Sequence, residues 1–252
     1  GLAGTGLSLA EFTYPWLVIL ALGLVGWRGT WLICAAAIVV LMLVTQALLR
    51  AAPRIKQAEE QDWQPADTRP SMTRHQAMRT PFFWGMFFIG AAPSFIVTGL
   101  FFFRKNLVDD KGWSEIAIAS GVSSYAICGF VSLFLAGFLV DRLSAARTLW
   151  LPYPLATLAL LIVGFWDNQL AFPLAMGIIG STYGLIATSQ SAVWAEAFGT
   201  QHLGAIKSMG AFITIFASAA SPFIWGLMLN QGFALTSLFA YSAVWTAACV
   251  LV

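Results

Sequence analysis

Gly137-Phe138-Leu139-Val140-Asp141-Arg142-Leu143-Ser144-Ala145-Ala146-Arg147 is a short charged interruption between two long apolar runs. Its charges are Asp141, Arg142 and Arg147. A brief polar break flanked by apolar segments is how one membrane-crossing helix ends and the next begins. Read this way, the turn makes the rest of the chain a series of crossing helices.

Composition agrees. The 252 residues are 59% hydrophobic and 10% charged, with a mean hydropathy of +0.80. A soluble domain carries about 25% charged residues, so this chain has too little polar surface for water and is expected to be all-α, a polytopic transmembrane helical bundle. The net charge of +2 is too small to favour a nucleic-acid partner. Cys34, Cys128 and Cys249 lie far apart inside apolar runs, without the paired spacing of a disulfide framework or metal site. The chain does not begin with Met and stops inside an apolar run at Val252, so it is expected to be a fragment cut at both ends.

A crossing helix needs about 20 mainly apolar residues. Eight segments qualify: 2–25, 30–49, 82–103, 115–140, 148–166, 169–194, and two halves of the charge-free run 208–252, divided at Asn230-Gln231-Gly232. Gly26-Trp27-Arg28-Gly29 separates the first two. The domains expected are 1–49, a polar linker at 50–80 rich in Gln, Asp, Glu and Pro, and a six-helix unit at 81–252. Orientation follows from the thirteen Lys and Arg residues. Nine (Arg50, Arg54, Lys56, Arg69, Arg74, Arg79, Arg142, Arg147, Lys207) fall on the linker side, and four (Arg28, Arg104, Lys105, Lys111) on the other. That bias puts the linker in the cytoplasm, in a plasma or bacterial inner membrane. Trp residues near the segment ends fit an interfacial belt.

Two helices, a linker, then six helices, with a Gly-x-x-x-Asp-Arg-x-Ser-x-x-Arg turn after the second of the six, resembles the major facilitator superfamily of secondary transporters. Gly26-Trp27-Arg28 resembles that family's outer turn between helices 5 and 6. Ala195-Glu196-Ala-Phe198-Gly199-Thr-x-x-Leu-Gly204-Ala-Ile-Lys207 resembles its loop between helices 10 and 11, in the carboxylate-transporter-like branch. Ser144 stands where the family's turn has its second Gly. The resemblance maps the chain onto helices 5 to 12. It implies alternating access by two halves around a central site. Gly137, Asp141, Arg142, Arg147 and Glu196 are expected to form a gating turn in which Arg142 or Arg147 pairs with Glu196; anchoring by positive charge on the cytoplasmic side is the plain reading.

Glu11 is the acidic residue that lies well inside an expected span. Such a carboxylate is neutral, paired or facing water. Proton coupling is the sharp reading; a helix that starts later, or a pairing with an Arg elsewhere, is the plain one. Mid-span polar residues are the substrate-binding candidates: Ser94, Thr98, Ser124, Tyr125, Tyr183, Ser189 and Gln190. Tyr183 and Gln190 are seven apart, hence on one helical face. Ser and Thr in such helices also bond their own backbone or a neighbouring helix.

His75 and His202 have no ligand cluster around them and no phosphate-binding Gly-Lys-Ser loop occurs, so the reading is not an enzyme, with no metal or cofactor. The resemblance implies a secondary transporter of a small solute, expected to be a monomer in a lipid bilayer, and the stretch from Glu196 to Lys207 points in the first instance to a proton-coupled organic anion (monocarboxylate) symporter. An exporter of hydrophobic or cationic compounds is the alternative, and a non-transporting membrane sensor is a third class.

Overall fold

The computed structural model describes residues 2–51 and 71–251. It separates into two compact units, Gly1–Thr68 and Arg69–Val252. Every regular element among the described residues is helical.

The first unit contains α1 (Leu2–Ala51). Two expected crossing segments share this element, yet it is not one straight rod. Gly26 has φ 68° and ψ 179°, a conformation that glycine adopts without steric cost. The Tyr14 hydroxyl lies 3.5 Å from Cys34 Sγ. Twenty residues of straight helix would hold them about 30 Å apart, so α1 doubles back at Gly26. The Thr30 hydroxyl donates to the Gly26 carbonyl at 2.8 Å and secures the bend. The turn expected at Gly26–Gly29 is therefore a reversal inside α1. Most of the linker, residues 52–70, lies outside the described residues, as does the Glu11 side chain.

The second unit begins earlier than composition suggests. Residues 71–80 were expected to belong to the linker, but Met72 N donates to Phe198 O at 3.0 Å. The helix α2 (Arg74–Met78) is closed by a capping box between Thr73 and Gln76. Ala77 is fully buried beside Phe83, Leu149 and Trp194. A ten-residue stretch of polar composition thus carries enough capping chemistry and one well-placed alanine to dock.

α3 (Pro81–Asp110) starts on a Thr80 cap with Pro at its first turn. It continues through Arg104–Asp110, which was expected to lie beyond the span's end at 103. α4 (Glu115–Leu143) follows. The expected segment 148–166 is divided into α5 (Ala145–Trp150) and α6 (Pro152–Phe165), with Pro152 opening the second. α7 (Ala171–Phe198) extends past the expected end at 194, so Glu196 is helical rather than in a loop. α8 (Leu203–Asn230) and α9 (Leu235–Ala248) are divided at Asn230–Gly232 as expected.

Six described stretches are long and apolar enough to cross a membrane: Leu20–Ala47, Pro81–Asp110, Glu115–Leu143, Ala145–Phe165, Ala171–Phe198 and Leu203–Asn230. Leu235–Leu251 is apolar but shorter. The difference from eight lies in α1, where two expected spans form one element, and in that short final helix.

Within the second unit α4 packs along α7, α3 along α8, and α6 against α7 and α9. The α4–α7 contact is close because glycines remove side chains from it. A Cβ on Gly180 would lie 2.2 Å from Tyr125 O, and one on Gly184 would lie 2.1 Å from Ser132 Oγ. Pro93 cannot donate to the Ile89 carbonyl one turn back, and the Tyr153 hydroxyl donates to that carbonyl instead, at 3.3 Å. The polar group freed by the proline is thereby satisfied in an apolar interior, as such a site requires.

The two ends of this bundle differ. At one end Met72, Phe198, Gly199 and Ser71 meet. At the other, Lys111 is only 7% exposed. Its Nζ donates to Gly164 O and to Asp167 Oδ1, each at 2.8 Å. Trp113 Nε1 donates to Asp167 O at 2.6 Å, and Lys105 bonds Asp109 and Glu115 nearby.

Candidate functional site

A cavity of about 360 Å³ opens between α3, α4, α7 and α8. α3 contributes Gly90, Pro93, Ser94, Val97 and Thr98; α4 contributes Tyr125; α7 contributes Thr182, Tyr183, Ile186, Ala187 and Gln190; α8 contributes Thr214 and Ser218. Small ligands sit in spaces of this order, about 300–1,000 Å³. None of these lining residues is charged. The polar wall consists of hydroxyls and one amide.

Five of the seven binding candidates from the sequence meet here: Ser94, Thr98, Tyr125, Tyr183 and Gln190. Two do not. Ser189 is fully buried and its hydroxyl donates to Leu185 O at 2.5 Å. It sits about 100° around the helix from Gln190, which is why adjacency in sequence misleads. Ser124 faces the α4–α7 contact, its Cβ 3.6 Å from where a Cβ on Gly177 would be. Helical phase decides both corrections.

Each lining side chain is placed by local structure. The Thr98 and Ser218 hydroxyls are 2.7 Å apart and join α3 to α8 across the cavity. A Cβ on Gly90 would lie 2.9 Å from Gln190 Nε2, so the missing side chain on α3 is the space that admits the amide. Gln190 makes no hydrogen bond among the described residues, which leaves its amide donors and acceptor unoccupied. Tyr125 packs edge-on to Phe101 with ring centres 5.2 Å apart. Thr182 turns its hydroxyl to Ile179 O at 2.6 Å and offers the cavity mainly its methyl.

Sequence reading missed Thr182, Thr214, Ser218 and Gly90. Thr214 and Ser218 are four apart in the charge-free run 208–252, so they share a face. That spacing was the available signal.

A larger crevice, about 590 Å³, lies at the Met72–Phe198 end. Its wall is largely apolar, with Phe82, Met86, Ile89, Leu149 and Trp150, and includes Glu196. The sequence-derived binding candidates do not line this crevice, whose one charged group is Glu196.

The charged turn occupies the same end. Ser144 joins α4 to α5 with φ 83° and ψ 154°. Asp141, Arg142, Arg147 and Glu196 are all exposed. Arg142 does not pair with Glu196 here: its guanidinium carbon sits 4.3 Å from the Phe138 ring centre. Arg147 has no acidic partner among the described residues. The space beside Gly137 is open. No group of His, Cys, Asp and Glu among the described residues could hold a metal ion.

The arrangement is thus a helical bundle with an uncharged cavity between four helices and a charged turn at one end. A family model described as Major Facilitator Superfamily matches residues 1–223. The chain belongs to the Major Facilitator Superfamily. Its apolar helices are therefore those of an integral membrane protein, and Major Facilitator Superfamily members are transporters rather than enzymes. In that setting the uncharged cavity is the candidate solute site of a superfamily protein. No curated protein matches the chain.

Proposed function

We propose that this superfamily protein moves a small organic anion, a monocarboxylate in the first instance, across the membrane by alternating access. The observation that supports it is the cavity between α3, α4, α7 and α8. The Ser94 hydroxyl, one hydroxyl of the Thr98–Ser218 pair and the uncommitted Gln190 amide supply donors, which suit carboxylate oxygens. Its wall holds no carboxylate that would attract a cation. The plasma or inner membrane, a cytoplasmic linker and a monomeric state belong to the same reading.

Glu11 is the proposed proton carrier. A carboxylate within the apolar sequence of α1 is costly when charged, and binding a proton removes that cost. The test is uptake of labelled acetate, lactate, pyruvate and oxalate by the full-length protein in proteoliposomes, with and without an inward proton gradient. Gradient-stimulated uptake of at least one acid, falling toward background in Glu11→Gln, is the expected result. Folded protein that takes up none of them removes the carboxylate reading and leaves the exporter of hydrophobic or cationic compounds in its place.

A further inference from the structure

The cavity wall lacks a charge, yet an anion gains most from meeting one. Lys207 stands on the same face of α8 as the two cavity hydroxyls on that helix. Thr214 and Ser218 follow it by seven and eleven residues, close to two and three full turns. Lys207 therefore lies about 10 Å below Thr214 along the helix, toward the Met72–Phe198 end.

On α7 the partner surface continues in step. Lys207 Nζ donates to Ser191 Oγ at 2.5 Å. Ser191 follows the cavity residue Ala187 by one turn and Gln190 by one residue. The contact thus bridges α7 and α8 on the linker side of the cavity's lining residues, where Ser191 is exposed.

Lys207 has no acidic partner among the described residues. Glu196 belongs to the apolar crevice with Phe82 and Trp150. An ammonium group has three donors, and one hydroxyl occupies only one of them. Membrane anchoring by positive charge needs no alignment with a cavity, and Arg74, Arg79, Arg142 and Arg147 are available for it.

We propose that Lys207 is a substrate-binding residue: it receives the carboxylate on the linker side of the cavity and passes it to Gln190 and the hydroxyls above. This rests on the reading that the cavity carries the solute.

The test uses full-length protein in proteoliposomes and whichever carboxylate of the panel the wild type transports fastest, with transport measured in both directions. Folding of Lys207→Gln and Lys207→Arg is checked by size-exclusion chromatography in detergent. Lys207→Gln is expected to raise KM from the linker-side face about tenfold or more, which is the loss of one charge-assisted contact. Its maximal rate should stay within about threefold, and Lys207→Arg should keep both constants within about threefold, since the charge remains. An unchanged KM in Lys207→Gln overturns the proposal, whatever the maximal rate. Equal loss in both variants overturns it too, since it marks a structural role. A wild type that transports no carboxylate overturns the function proposed above and this inference with it.

Discussion

Ser144 is the one non-glycine residue with a positive φ among the described residues. It ends α4 and begins α5, and it receives hydrogen bonds on its carbonyl from both Thr148 N and Thr148 Oγ1. At φ 83° and ψ 154° a side chain is strained by about 1–3 kcal/mol. The sequence already showed a serine where the family's turn has glycine. The backbone geometry supplies the reason glycine belongs there. Ser144→Gly is therefore expected to stabilise the protein by about 1 kcal/mol or more, seen as a higher midpoint of thermal unfolding in detergent. An unchanged or lower midpoint would show that the turn relaxes around serine. Single residues of the cavity were partly legible. Tyr183 and Gln190 were paired by spacing, while Ser189 failed because its neighbour's phase, not its polarity, faces the opening.

At the scale of elements, the α4–α7 pair is the rigid wall behind Tyr125 and Tyr183. Gly180 and Gly184 let the two backbones meet, and the hydroxyl of Ser132, buried between them, bonds its own helix at Gly129 O. Gly180→Ala would place a methyl on the Tyr125 carbonyl, which cannot give way as a flexible side chain would. Overpacking of this sort costs about 1–3 kcal/mol, so a clear drop in thermal midpoint is expected, together with weaker solute binding as Tyr125 shifts. Normal stability would mean that the helices part freely. Element positions were readable from apolar runs because a membrane demands length. Their boundaries were less so: helices α3 and α7 run past their apolar parts, since backbone hydrogen bonding continues through Arg104–Asp110 and through Glu196 when capping allows it. The bend at Gly26 was legible as a turn, but not that the element would remain helical up to both sides of it.

At the scale of the whole molecule, the second unit has two charged ends of different composition. In the second unit, the charged turn, the α2 segment and Lys207 fall at one end, and the Lys111–Asp167 cluster at the other. The gating reading now requires a second conformation, because Arg142 rests on Phe138 and Glu196 faces the crevice. If these residues pair when that end closes, Arg142→Glu and Glu196→Arg should each depress transport, and the double variant should recover most of it. Two equally impaired singles with no recovery would reject the pairing. Sequence could not supply this, since it names charges without saying which conformation joins them.

The neutrality of the cavity wall has an electrical consequence. Under the proposed alternating access, a wall without fixed charge contributes none of its own to the current. Each elementary charge moved through the full field is worth about 2.3 kcal/mol per 100 mV. Around such a wall, the voltage dependence of transport would measure the solute, any ion that travels beside it, and charged side chains outside the wall, such as Lys207, that move with it.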